Sequence, residues 1–240
     1  MILLAMPLLL ANAGHAASPP ANTSGAPAAS EKRTPLDALP VEELPAPDSN
    51  NDVLAVILSG DGGWRDLDRD FGNVFQQQGI ATVGFDCLKY FWKPRHPAEA
   101  ASDLETILRY YLKAWGKKRI LLAGYSFGAS WLPLLIERLP AELQNQIRLV
   151  VLLAPGQYTN IEIKIDDWVR DIRRPGALDV AKSAAALRHP LLCVYGTEEK
   201  DDSLCPQLEG INRRIMPVAG GHHFNGDYAP IENTILKYFE

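Results

Sequence analysis

The stretch Arg119-Ile120-Leu121-Leu122-Ala123-Gly124-Tyr125-Ser126-Phe127-Gly128-Ala129 decides how the chain is to be read. Its first five residues form a short apolar run of the kind that makes a strand buried on both faces. The residues after Ser126, from Phe127 to Leu139, carry helical spacing. A serine flanked at two residues' distance by glycines at such a junction sits on a tight strand-to-helix turn. The missing Cβ atoms remove clashes there, and the hydroxyl points up from the carboxyl edge of a sheet. The pattern G-x-S-x-G arises often by chance, so its meaning comes from the strand before it and the helix after it. The competing reading is a plain helix cap, a role open to any serine before a helix.

Outward from this turn, the runs Val53 to Leu58, Ile80 to Phe85, Leu149 to Leu153, Leu191 to Tyr195 and Arg214 to Val218 are equally short and apolar. Between them Asp66 to Gln78, Pro97 to Trp115 and Val180 to Leu187 have helical spacing, and Pro230 to Phe239 supplies a last helix. This alternation predicts an α/β fold, a mostly parallel central sheet of about six strands with helices on both faces. With the serine turn, it is the pattern of an α/β-hydrolase fold. The segment Gln157 to Asp179 fits the alternation badly, with Trp168 among many charges and Pro175-Gly176 as a breaker. A cap over a cleft and an ordinary surface excursion both suit it.

The chain has 240 residues, 47% of them apolar, enough for one sizeable core. Its 29 acidic side chains outnumber 24 basic ones, and no dense Lys/Arg run is present, which argues against a nucleic-acid partner. Residues 1–16 read as a signal peptide, with an apolar stretch from Met1 to Leu10 followed by small residues, so a periplasmic location is expected. Residues 17–50, with seven prolines from Pro19 to Pro47, read as a disordered Pro/Ala-rich tether unable to sustain helix or central strand. The hydrolase domain is then 51–240. Of the three cysteines, Cys193 and Cys205 are able to pair in an oxidising compartment, but Cys193 reads better as a small buried apolar residue within a strand.

In this fold the acid and the base follow the serine in the order Asp or Glu, then His. After the strand ending at Tyr195 comes a loop, Gly196 to Pro206, crowded with carboxylates. Asp202 is the first choice of acid because it stands four residues before Pro206, with Asp201 and Glu199 in reserve. After the strand ending at Val218 comes Gly220-Gly221-His222-His223-Phe224. His223, directly before an aromatic residue, is chosen as the base, with His222 holding the turn. His96 and His189 each precede a proline at the wrong edge or in the wrong order. Two adjacent histidines point apart, and no metal-ligand spacing accompanies them.

The loop Ser59-Gly60-Asp61-Gly62-Gly63-Trp64 follows the first strand, where the second half of an oxyanion hole belongs. The backbone N–H groups of Asp61 and Phe127 are the expected donors. No P-loop lysine and no G-x-G-x-x-G pattern point to phosphate instead. Acyl transfer of this kind requires no metal and no organic cofactor.

The set SGDGGW at 59–64, KYFW at 89–92, GYSFGA at 124–129, the acidic loop ending at Pro206 and GGHHFNGDY at 220–228 resembles the VirJ family of bacterial virulence proteins, also found as the C-terminal part of AcvB. The resemblance runs from about Val53 onward. It departs from the family pattern at Cys87-Leu88-Lys89 and at Ser130, where an aspartate is frequent. It implies a periplasmic hydrolase that removes the lysyl group from lysyl-phosphatidylglycerol, an aminoacylated phospholipid at the inner-membrane surface. Secretion-system proteins are further partners implied by the virulence association. An ammonium-bearing substrate is compatible with Asp61, Asp201 and Glu199 as charge partners and with Trp64, Tyr90 or Trp92 as cation–π faces. Two other functions are open: a carboxylesterase or thioesterase on a soluble substrate with the same triad, and a non-catalytic periplasmic binding or assembly factor. The Ser, Asp, His order argues against the last.

Overall fold

The structure, a computed structural model, describes residues 35–164, 166 and 173–239. The proposed signal peptide and most of the proposed tether lie outside the described residues. Seven strands form the central sheet: β1 Val41–Leu44, β2 Val53–Leu58, β3 Ala81–Phe85, β4 Arg119–Tyr125, β5 Ile147–Leu153, β8 Leu191–Gly196 and β9 Arg213–Val218, in the order β1-β3-β2-β4-β5-β8-β9. A separate two-stranded ribbon pairs β6 Tyr158–Thr159 with β7 Leu178–Asp179. The six strands expected from apolar runs are all present, and every pairing among them is parallel.

The seventh strand corrects the tether expectation at Val41–Leu44. Val41–Leu44 pairs antiparallel with β3, Val41 opposite Phe85. Pro40 and Pro45 bracket these four residues instead of interrupting them, and an edge strand needs donors on one side only. The Pro40 carbonyl also accepts a hydrogen bond from Asp86 N.

Alternation along β2 shows how the layers assemble. Val53, Ala55 and Ile57 face one core with Phe71 and Phe75 of α1 (Leu67–Gln77) and Ile231 and Ile235 of α7 (Ala229–Leu236). Leu54, Val56 and Leu58 face the other, with Leu104 of α3 (Pro97–Ala114), Trp131 of α4 (Phe127–Ile136) and Ala184 of α6 (Val180–Ala186). A strand buried on both sides has no polar face to offer water, which is why its sequence reads as an unbroken apolar run. Helix α4 is buried from Gly128 to Ile136 because it is packed between α3 and α6, as an all-round apolar helix requires. Two one-turn helices, α2 Cys87–Tyr90 and α5 Ala141–Gln144, are too short to leave a periodic signal.

The chain moves from β2 to β3 on one side and to β4 on the other. That reversal opens a crevice beyond the carboxyl ends of β2 and β4, the place where open α/β sheets bind ligands. On the far side, Cys193 of β8 is disulfide-bonded to Cys205. This overturns the reading of Cys193 as an unpaired core residue: the loop after β8 folds back over the sheet face that carries it, and both residues are buried.

Candidate active site

Ser126 stands between β4 and α4 with φ 52° and ψ −113°, a backbone conformation that L-residues rarely occupy. Its N–H donates to the Leu153 carbonyl at 2.8 Å, and its carbonyl accepts from Ser130 Oγ at 3.0 Å. The two glycines permit the turn. A Cβ on Gly128 would come within 2.4 Å of the Leu58 carbonyl oxygen, and one on Gly124 within 2.7 Å of the Gly128 backbone. The strand-to-helix corner is thus pressed against the end of β2, and the serine at its apex faces the crevice.

His222 Nε2 lies 2.7 Å from Ser126 Oγ, and His222 Nδ1 lies 2.9 Å from Glu199 Oε2. Glu199 ends the short turn Thr197–Glu199 directly after β8. This turn and the histidine loop are held together at Gly196, where a Cβ would stand 2.2 Å from the Gly221 carbonyl. Glu198 N also donates to the Gly220 carbonyl at 3.1 Å. The structure therefore places the second histidine and the preferred acid elsewhere. His223 is exposed, with Nδ1 2.8 Å from the Tyr125 hydroxyl. Asp202 lies on the same cleft but is exposed at its rim, because the turn that brings Glu199 inward carries the next residues outward. Asp201 is exposed and outside the cleft lining; its carbonyl accepts from Gln157 Nε2.

The glycine loop after β2 is anchored by buried Ser59, whose Oγ accepts from Cys87 N at 2.9 Å and donates to the Gly60 carbonyl at 3.1 Å. Gly63 N turns back to the Gly60 carbonyl, and Gly63 adopts φ +81°. Both Asp61 and Phe127 line the cleft beside Ser126. As the first residue of α4, Phe127 has an N–H with no carbonyl one turn back inside the helix to accept it. Beneath the loop, Asp68 is almost fully buried with Oδ1 lacking a hydrogen-bond partner. Burial pushes its carboxyl up to about 8, against the opposing pull of the Gly60, Arg65 and Asp68 backbone N–H groups.

The cleft has a volume of about 740 Å³, and its far wall is built by Tyr158, Thr159, Asn160 and Ile163. The segment Gln157 to Asp179 thus contributes a wall through the β6–β7 ribbon, while Trp168 lies outside the described residues. The aromatic residues expected to meet substrate do not line the cleft. Trp64 packs over Gly72 and Gly84, where a Cβ would stand 3.1 and 2.6 Å from its ring. Tyr90 is 3% exposed, bonded through its hydroxyl to Asp103 at 2.5 Å and packed against Phe85 and edge-on to Phe91. Its ring does carry a cation, but the cation is Arg95 of the protein itself. Trp92 is exposed outside the cleft. The KYFW segment by itself offers no means of telling core from cleft, since both take aromatic residues. Ser130 also ties the site, because Gly156 N donates to its Oγ at 2.9 Å while that hydroxyl donates to Ser126.

The family model for bacterial virulence protein VirJ matches residues 52–240. The chain belongs to the VirJ family. Solved structures place the VirJ domain among α/β-hydrolases in fold. Est1E from Butyrivibrio proteoclasticus has 16% identity and a TM-score of 0.58, covering 82% of this chain and 92% of Est1E. The esterase Pf2001 from Pyrococcus furiosus has 14% identity and a TM-score of 0.57, covering 87% and 93%. MenH from S. aureus has 13% identity and a TM-score of 0.56, covering 82% and 97%. At these identities the likeness is one of fold. No curated protein sequence matches significantly.

Proposed function

We propose that this VirJ-family domain is a serine ester hydrolase with Ser126 as nucleophile, His222 as base and Glu199 as the acid that orients it. The observation that carries this reading is the unbroken hydrogen-bonded chain from Ser126 Oγ through both nitrogens of His222 to Glu199 Oε2. Ser126 Oγ attacks the ester carbonyl while its proton passes to His222 Nε2. Glu199 holds the Nδ1 proton and stabilises the imidazolium that results. The negative oxygen of the tetrahedral intermediate is received by the N–H groups of Asp61 and Phe127. Collapse breaks the ester C–O bond, His222 returns the proton to the departing alcohol, and an acyl-Ser126 remains. Water then repeats the sequence, with His222 taking its proton and returning it to Ser126.

For the substrate, we propose an aminoacyl ester of a phospholipid headgroup, with lysyl-phosphatidylglycerol in the periplasm as the specific case. The cleft lining supports this: among the described residues, Asp61, Asp66, Glu199 and Asp202 stand against one arginine, Arg65, and no lysine. An acyl group that carries ammonium charge gains from such a lining, and Arg65 offers one positive charge for a phosphodiester. A simple neutral ester has no need of it.

The test is release of free lysine from purified lysyl-phosphatidylglycerol, beside a p-nitrophenyl ester, by wild type and Ser126→Ala. Lysine release lost in Ser126→Ala supports the full reading. Cleavage of the soluble ester alone retains the triad and removes the lipid substrate, and silence on both favours a non-catalytic role in binding or assembly.

A further inference from the structure

Tyr125 has three contacts that no hydrolytic step uses. It is the residue bonded to Ser126, its ring lies on the glycine loop, and its hydroxyl reaches the histidine loop. A Cβ on Gly60 would stand 3.1 Å from Tyr125 Cδ1, so the ring closes directly on the segment that carries Asp61. The hydroxyl lies 2.8 Å from His223 Nδ1 and donates to the His222 carbonyl at 3.3 Å. The residue is buried, and burial together with the neighbouring Asp68 carboxyl raises its phenol well above the usual range, so it stays a neutral O–H. A neutral hydroxyl can accept from His223 Nδ1–H while donating to the His222 carbonyl, which satisfies both of its roles at once.

We infer that Tyr125 and His223 form a positioning clamp that sets the distance between His222 and Ser126. This rests on reading Ser126 and His222 as nucleophile and base. The histidine loop leaves β9 through Gly220 and Gly221 and is tied to the turn after β8 at Gly196 and Glu198, contacts that lie on the acid's side of the base. Those contacts fix the base relative to Glu199, and holding 2.7 Å to the Ser126 hydroxyl calls for an attachment on the serine side as well. The clamp provides it from the residue covalently next to the nucleophile, so a movement of the serine turn carries the base along with it. His223 acts through this contact; its imidazole exchanges no proton with substrate.

The experiment compares Tyr125→Phe, His223→Ala, His223→Asn and His222→Asn on a soluble p-nitrophenyl ester, with KM, kcat and thermal midpoint recorded for each. Asn places an amide where Nδ1 stands and supplies either a donor or an acceptor, so His223→Asn is expected within about threefold of wild-type kcat. Tyr125→Phe loses both contacts of the hydroxyl and His223→Ala loses one of them, and kcat is expected to fall about 5- to 30-fold with KM unchanged, as for loss of a hydrogen bond or two. The double variant falls no further than Tyr125→Phe alone, since His223→Ala breaks a link that Tyr125→Phe already removes. His223 is exposed, so its variants report even if Tyr125→Phe is poorly folded. Wild-type kcat in both Tyr125→Phe and His223→Ala overturns the clamp. So does a His223→Asn protein as inactive as His222→Asn, because the imidazole of His223 would then be acting on protons itself. A wild-type protein inert toward the ester and toward a fluorophosphonate shows instead that Ser126 is no nucleophile, and the clamp falls with that reading.

Discussion

Glu199 Oε2 lies 2.9 Å from His222 Nδ1, while Asp202, three residues further along the same loop, is exposed at the cleft rim. The position of the carboxylate relative to one turn of 3-10 helix therefore separates the acid that can orient the histidine from one that cannot. Glu199→Gln removes the charge that stabilises an imidazolium and is expected to lower kcat about 10²- to 10⁴-fold, while Asp202→Asn stays within about threefold. Steady-state kinetics on a p-nitrophenyl ester with both variants checks this, and a larger loss in Asp202→Asn than in Glu199→Gln would reverse the assignment.

The disulfide between Cys193 and Cys205 closes a segment of sequence separation 12 that contains Glu199. Reducing it frees the acid's loop from β8. A covalent closure of about this length stabilises a domain by roughly 3 kcal/mol in the chain-entropy model. Reduction under native conditions is expected to lower both the thermal midpoint and, by about tenfold, kcat. Assays before and after reduction, with thiols counted by mass, test it; equal kcat in the two forms shows that the loop holds Glu199 unaided.

Asp68 ties stability to pH. Its carboxyl sits near 8 in the folded protein against 3.8 in a solvated chain, so the native state holds a proton that the unfolded chain releases. The contribution of Asp68 to stability is fully present below about pH 4 and falls by up to roughly 1.4 kcal/mol per pH unit as pH rises toward 8, then levels. In Asp68→Asn this loss is absent. The difference in unfolding free energy between variant and wild type is expected to grow in the variant's favour from pH 4 to 8, and denaturant titrations across that range measure it. A pH-independent difference would show that Asp68 is ionised throughout.

Gly128 has no room for a methyl group, which would press on the Leu58 carbonyl oxygen at 2.4 Å. Gly128→Ala must push α4 away from β2, at a cost of about 1–3 kcal/mol. Because Ser126 and Phe127 lie at the start of that helix, kcat is expected to fall at least about tenfold along with the thermal midpoint. A stable, fully active Gly128→Ala protein would mean that the turn relaxes freely.

The parts of the fold that were legible in the sequence are those set by local pattern. Val53 to Leu58 reads as a buried strand because six consecutive residues are buried. The turn at Ser126 reads correctly because two glycines, a strand and a helix coincide within a few residues. Val41–Leu44 was hidden because an edge strand between two prolines shares the proline-rich composition of the sequence before it. Glu199 and His222 could not be singled out for a different reason: each competes with a chemically similar neighbour, and the choice depends on contacts between loops. Asp202 matches a spacing to Pro206, but the turn at Thr197–Glu199 decides which carboxylate faces the histidine. His223 precedes an aromatic residue, but the Tyr125 hydroxyl occupies its ring. Tyr90 and Trp64 looked like ligands for a cation because an aromatic residue near a motif is equally suited to a core.

The central claim, a nucleophile at Ser126 activated by His222, is tested most directly by mapping the adduct of a fluorophosphonate by peptide mass spectrometry. One adduct on Ser126 is expected in the wild type and in His223→Asn, with none in His222→Asn over the same time. An unmodified Ser126 in the wild type, or full labelling in His222→Asn, would contradict it.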